Sequence, residues 1–282
     1  MKLKGKVALI TGSSAGIGAG IAKGMAAEGA DIIINYYHDA QGAERTAEAV
    51  RCTGRKALVA QADVSQAEDV RNMFDKIAKV FGRLDILVNN AGITPKRPFE
   101  DCDEEHWDKL LAVNLKSVYL CCKQAMRLMH PGGAILNISS IHATTTTYNF
   151  VPYAASKGGM EALTRTLAVE LGDKKIRVNA IRPGWITVER DGSDPNDPVY
   201  KTVTDRIPIH RLGRIEDVVP SAILLCSDES GFTTGAVLPI DGGAGFILNT
   251  PFPKGYVESG AVVDESHNVP GKQGTKEHND EQ

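Results

Sequence analysis

The 282 residues carry 32 Lys and Arg against 35 Asp and Glu, a formal net charge of −3, and 42% of them are hydrophobic. That is enough chain to bury a core without disulfides or metal, and the near-neutral balance lacks the basic footprint of a nucleic-acid partner. No apolar run approaches the roughly 18–20 residues that cross a bilayer and the first residues lack a signal-peptide layout, so the expectation is a cytoplasmic protein with no membrane or nucleic-acid partner. Five cysteines, Cys52, Cys102, Cys121, Cys122 and Cys226, form no C-x-x-C pair and lack zinc-site spacing. They read as free buried thiols in a reducing compartment, with no metal.

In chain order, the first β-branched run, 6–10, leads into Thr11-Gly12-Ser13-Ser14-Ala15-Gly16-Ile17-Gly18 and a helical pattern over 16–28. Glycines at Gly12, Gly16 and Gly18, with Ser14 and Ile17 between them, let backbone N–H groups approach a pyrophosphate at a helix N-terminus. Alone, the glycines fit a tight turn equally well. The second strand, 31–34, ends in Asn35-Tyr36-Tyr37-His38, with neither a carboxylate for a free ribose 2′-hydroxyl nor an arginine for a 2′-phosphate. That reads as use of NAD or NADP, leaning to NADP because nothing acidic opposes the extra phosphate. A third strand at 57–59 is followed by Asp63-Val64, where a carboxylate can accept from an adenine amino group, or simply form a turn.

After a helix over 67–81 and a strand over 84–88 come Asn89-Asn90-Ala91-Gly92, with Asn90, Ala91 and Gly92 beside the expected cleft. One long helix over 104–129 contains Asn114, a poor fit to a helix interior. The fifth strand, 134–138, is followed by Ser139 and Ser140, and a helix over 153–171 begins Tyr153-Ala154-Ala155-Ser156-Lys157. Tyr and Lys four apart share a helix face, so an ammonium near the phenol would favour the phenolate and make Tyr153 a general base. A surface pair is the plain alternative. A sixth strand at 177–181 precedes Pro183-Gly184 and an irregular stretch, 184–208, read as a lid at the sheet's carboxyl edge. A helix over 216–226 and a strand over 237–240 complete a single doubly wound α/β domain, 1–248, with a seven-stranded parallel sheet. From 249 to 282 the chain is polar; from Lys254 on, three Lys face six acidic residues, which accounts for the whole net charge. This tail is expected to be mobile or extended.

Taken together, T-G-x-x-x-G-x-G after the first strand, N-N-A-G after the fourth and Y-x-x-x-K resemble the short-chain dehydrogenase/reductase family over about residues 3–245. The resemblance implies Asn114, Ser140, Tyr153 and Lys157 as the catalytic set. The family offset and strand alternation select Ser140 over Ser139 to polarise the substrate oxygen. Lys157 would hold the nicotinamide ribose, and Asn114 a water that relays protons. Pro183, Gly184, Ile186 and Thr187 would border the nicotinamide, although Val188 stands where many relatives have Thr. The run around Ser140 and Tyr153, with Asn35-Tyr36, looks like the glucose 1-dehydrogenase branch, implying hydride transfer to or from a sugar or polyol held by His142, Asn149, Trp185, Glu189 and Arg190. His142 and Asn149 also read as loop residues, and Trp185 as a packing residue. A 3-oxoacyl carrier-protein reductase, with Lys96, Arg97 and Arg211 as its basic patch, and a non-enzymatic dinucleotide sensor are the alternatives. Relatives are commonly tetramers, which implies a homo-oligomer, tetramer or dimer, paired through the two long helices.

Overall fold

A computed structural model describes residues 1–188 and 198–246. The expected tail, Glu189 and Arg190 lie outside the described residues. Seven parallel strands run in the order β3-β2-β1-β4-β5-β6-β7. They are β1 (Val7–Ile10), β2 (Asp31–Tyr36), β3 (Ala57–Gln61), β4 (Leu84–Asn89), β5 (Met129–Ile138), β6 (Arg177–Pro183) and β7 (Val237–Ile240). Central strands are buried on both faces, as near-continuous apolar runs require. On one face α1 (Gly16–Ala27), α2 (Ala40–Cys52) and α8 (Ile215–Cys226) pack through Ile21, Met25, Val50 and Val218. On the other, α3 (Ala67–Phe81), α5 (Ser117–Ala125) and α6 (Val151–Glu170) pack through Phe74, Ile77, Cys121 and Met160. Strand order reverses between β1 and β4, so a crevice opens beyond their carboxyl ends.

Several expected elements change. The helix expected over 104–129 is three pieces, α4 (Glu104–Leu111), a π-helical turn (Ala112–Lys116) and α5, and Met129 already belongs to β5. A π turn inserts one residue into the ladder, and Asn114 occupies it. The helix α2 has no counterpart in the sequence reading, because its buried face is mostly small: Gly42, Ala43, Thr46, Ala47 and Val50. Within the stretch read as irregular, Pro198–Thr204 forms a short helix, α7. Three thiols are buried as expected, Cys121, Cys122 and Cys226, but Cys52 is exposed and Cys102 half-buried. No described helix is long and apolar enough to cross a membrane, and no described group of His, Cys, Asp and Glu has a metal-binding arrangement.

Candidate active site

The loops after β1 and β4 are stitched side by side. Thr11 Oγ1 accepts from the N–H groups of Asn90 and Ala91 at 2.9 and 3.0 Å, and Asn90 Nδ2 donates to the carbonyls of Thr11 and Gly12 at 2.8 and 3.0 Å. Gly12 sits at φ +62°, and a Cβ there would lie 2.9 Å from the Ala91 Cα. Only glycine satisfies both the left-handed backbone and the close approach. The N-terminus of α1 follows, with Ala15 as its cap and no side chain capping the first turn. Those helix N–H groups, flanked by Ser14, Gly16, Ile17 and Gly18, suit a pyrophosphate, so the residues present fit a dinucleotide.

Asn35 lines the same cavity as Tyr37 and Asp63, and its amide is engaged within the protein. Its buried carboxamide accepts from Gly12 N at 3.1 Å and donates to the carbonyls of Ala60 and Ala62, both at 3.2 Å. It braces the loop from behind. Asn90 is similarly spent on the β1 loop. Tyr36 packs onto the core, while Tyr37 is exposed with its ring 3.6 Å from that of His38. Asp39, which the sequence reading passed over, accepts from Gly42 N at 2.8 Å as the cap of α2. Asp63 Oδ1 accepts from both N and Oγ of Ser65, and Val64 is buried. Asp63, Val64, Tyr37, His38 and Gly92 border a cavity of about 740 Å³.

Gly92 also borders a second cavity, about 200 Å³, walled by Ser140, Tyr153, Lys157, Pro183, Gly184 and Ile186. Here the structure brings the sequence-predicted groups together. Ser140 lies just past β5 in extended backbone, its Oγ accepting from His142 N at 3.3 Å, and it lines the same cavity as Tyr153. Ser139 borders the same cavity, but its hydroxyl donates to Glu161 Oε1 at 2.8 Å. Lys157 donates to the carbonyl of Ile138 at 2.7 Å, with Nζ 5.7 Å from the Tyr153 ring centre.

The electrostatics depart from the expected lowering of the phenol by a neighbouring cation. Burial pushes Tyr153 above its ordinary value, and the nearby Ser140 hydroxyl opposes the rise. Burial brings the Lys157 ammonium down to about 8. Both groups are driven toward neutrality because a low-dielectric site disfavours either charge.

Asn114 is fully buried, and its carboxamide pairs with the backbone of Ile93, accepting at 2.8 Å and donating at 2.9 Å, with a longer bond to Ser156 Oγ. It ties the β4 loop to α6. Ile186 borders the cavity, whereas Thr187 donates its hydroxyl to the Gly213 carbonyl at 3.0 Å. His142 stacks on Phe150 at 4.1 Å and meets Tyr153 edge-on at 5.6 Å; burial, then the charge of Lys96, lower its pKa. Trp185 instead borders a separate cavity with Ile207, Ile209 and Arg211. Asn149 is exposed at φ +71°, its carbonyl holding Arg97 N at 3.1 Å. Of the basic patch, Arg97 pairs with Asp103 at 2.8 Å and Arg211 forks onto Asp217. Only Lys96 keeps its charge unmatched by a described carboxylate.

Residues 12–245 match the family described as enoyl-(acyl carrier protein) reductase. The 3β-hydroxysteroid dehydrogenase 1 of Eggerthella lenta is 41% identical over 247 residues, spanning 86% of this chain and 94% of that one. Glucose 1-dehydrogenase 2 of Bacillus subtilis is 37% identical over 245 residues, 86% of this chain and 95% of that one. A short-chain dehydrogenase of Burkholderia cenocepacia, solved in complex with NADP, superposes with a TM-score of 0.82 at 36% identity, over 86% of this chain and 99% of that one.

Proposed function

Because the chain belongs to the short-chain dehydrogenase/reductase family and is an alcohol oxidoreductase of the NAD(P)-binding type, we propose that it acts on a secondary alcohol or carbonyl of a sugar or polyol, with NADP preferred. The observation that carries this reading is the meeting of Ser140, Tyr153 and Lys157 around one small cavity that shares Gly92 with the larger one. The bound nicotinamide supplies or accepts the hydride. Tyr153 takes the hydroxyl proton in oxidation and returns it in reduction, and Ser140 hydrogen-bonds the reacting oxygen and orients it. Lys157 favours the phenolate when charged and holds the ribose. Asn114 acts by fixing Ile93 and the β4 loop.

A polyol is favoured by the polar groups of Ser140 in the cavity and of His142 beside Tyr153, and by the likeness to glucose 1-dehydrogenase 2. NADP is favoured because Asp39, the carboxylate nearest the end of β2, is committed to capping α2. The apolar groove lined by Leu111, Ala112, Leu115, Tyr119 and Leu163 suits pairing with a second copy, and the lack of a long apolar helix among the described residues is compatible with a cytoplasmic location. The test follows nicotinamide absorbance with NAD and NADP in parallel on aldoses, polyols, simple secondary alcohols and a 3-oxoacyl thioester. Faster turnover of sugars with NADP supports the proposal. Reduction of the thioester alone would replace it with the acyl-carrier reading.

A further inference from the structure

Glu161 follows Lys157 by one helical turn and Tyr153 by two, so the spacing of four sets all three along one face of α6. Its carboxylate is buried, with 4% of the residue exposed. Oε1 accepts from Ser139 Oγ at 2.8 Å and from Arg182 Nε at 2.9 Å, and Oε2 accepts from Arg182 Nη2 at 2.7 Å. The guanidinium therefore grips both oxygens, the geometry that fixes orientation most firmly. Arg182 stands on β6 immediately before Pro183 and Gly184. The charge of Asp241 also acts on it.

These three side chains lie where the backbone ladder runs out. Paired residues of β5 and β6 end at Ile138 and Ile181, and the last backbone bond runs from Ser139 N to the Ile181 carbonyl at 2.8 Å. Beyond it, the end of β5, the end of β6 and the face of α6 are tied by side chains. A buried ion pair contributes little net stability against an apolar pair of similar size, so stability alone is a poor account of this one.

We infer that Glu161 and Arg182 are positioning residues: through Ser139 they hold the end of β5, and with it Ser140, against the face of α6 that carries Tyr153 and Lys157. The inference rests on the proton-transfer role proposed for Tyr153.

Three variants of the full chain test it: Ser139→Ala, Glu161→Gln, and the double change Glu161→Met with Arg182→Met. Ser139→Ala removes one hydroxyl and leaves the ion pair in place, so it folds even if the charge variants do not. It is expected to lower kcat about tenfold or more, the scale on which small misplacements act, with the KM for NADP changed less than about twofold. Glu161→Gln strands a buried guanidinium and lowers both kcat and the melting temperature. The double variant removes both charges, and its melting temperature returns toward that of the wild type while kcat stays low. Recovery of kcat along with the melting temperature, or an unimpaired Ser139→Ala, overturns the inference.

A second readout needs no substrate. The ionisation of Tyr153 is followed by phenolate absorbance, each protein being compared with its own Tyr153→Phe counterpart. Loosening Ser140 draws away a hydroxyl that favours the phenolate, so the titration moves upward in Ser139→Ala and in the double variant. An unmoved titration overturns the positioning role. An upward move in a protein that turns over no alcohol upholds the positioning role and overturns the proposed substrate reading alone.

Discussion

Lys157 donates its ammonium to the carbonyl of Ile138, two residues before Ser140, at 2.7 Å. Helix and strand are thereby locked by the same group that the proposed chemistry needs charged. The lock has a cost. Burial holds the folded-state pKa at about 8, against about 10.4 for a lysine in the unfolded chain. Between these values the unfolded state binds more protons, so this group makes stability rise with pH across that window. At neutral pH, keeping the buried ammonium protonated costs on the order of 3 kcal/mol.

Lys157→Met should therefore abolish turnover yet gain about 1 kcal/mol of stability at neutral pH, the relief being offset in part by about 1–3 kcal/mol for the orphaned Ile138 carbonyl. Above pH ~8 the wild type recovers the lost ground, so the advantage of the variant shrinks as pH rises toward ~10.4. Denaturant melts of both proteins across that range measure the difference. A gap that does not change with pH would mean that Lys157 is not a buried charge.

The two directions of reaction should separate on the pH axis. Tyr153, raised by burial, remains a phenol through neutral pH, the form that donates a proton in reduction. Reduction is then steady below pH ~8 and declines as Lys157 loses its charge, while oxidation climbs through the alkaline range as phenolate forms. Tyr153→Phe should lower kcat about 100-fold to 10,000-fold in both directions with cofactor affinity within a few-fold. Rate profiles measured each way, with both limbs turning near pH ~6, would move proton transfer to a different group.

Gly12→Ala forces a side chain into a left-handed position and against the Ala91 backbone. Strain of this kind costs about 1–3 kcal/mol, and the β4 loop must retreat to relieve it. The expected result is a lower melting temperature and weaker NADP binding, read together by thermal melts with and without the cofactor. Unchanged affinity would separate the β1 loop from the dinucleotide.

Asn35→Ala removes the partner of the half-buried Gly12 N and of two buried β3-side carbonyls. A loss of about 2–4 kcal/mol follows from leaving them unmatched. The ratio of kcat/KM for NAD and NADP should stay where it is, because the carboxamide faces the protein. A shifted ratio would return Asn35 to direct contact with the ribose.

What the sequence disclosed and what it withheld divide along the reach of the interactions. Tyr153 and Lys157 are four residues apart, so a helical pattern alone puts them on one face, and seven apolar runs announce the sheet. Glycine followed by a helix marks a possible anion site from local backbone rules. Asn35 was legible as a residue near the cleft, but its partners are 23, 25 and 27 residues away, and only the assembled sheet shows that its amide turns inward. Glu161 and Arg182, 21 apart on different elements, carry no local signature of pairing. The π turn at Asn114 was hidden for a related reason: one inserted residue leaves amphipathicity nearly intact while changing what the helix can hold.

The exhaustion of the β5–β6 ladder at Ser139 also bears on how this scaffold can change its diet. The groups proposed for proton transfer hang from α6 and the end of β5, where sheet and helix restrain them. His142, Phe150 and Lys96, by contrast, hang from the connections after β5 and β4, outside any strand; they touch one another, and the two rings also meet that of Tyr153. Exchanging Lys96, which does not touch Tyr153 among the described ring contacts, disturbs least beneath, whereas exchanging His142 or Phe150 also alters what packs on the phenol.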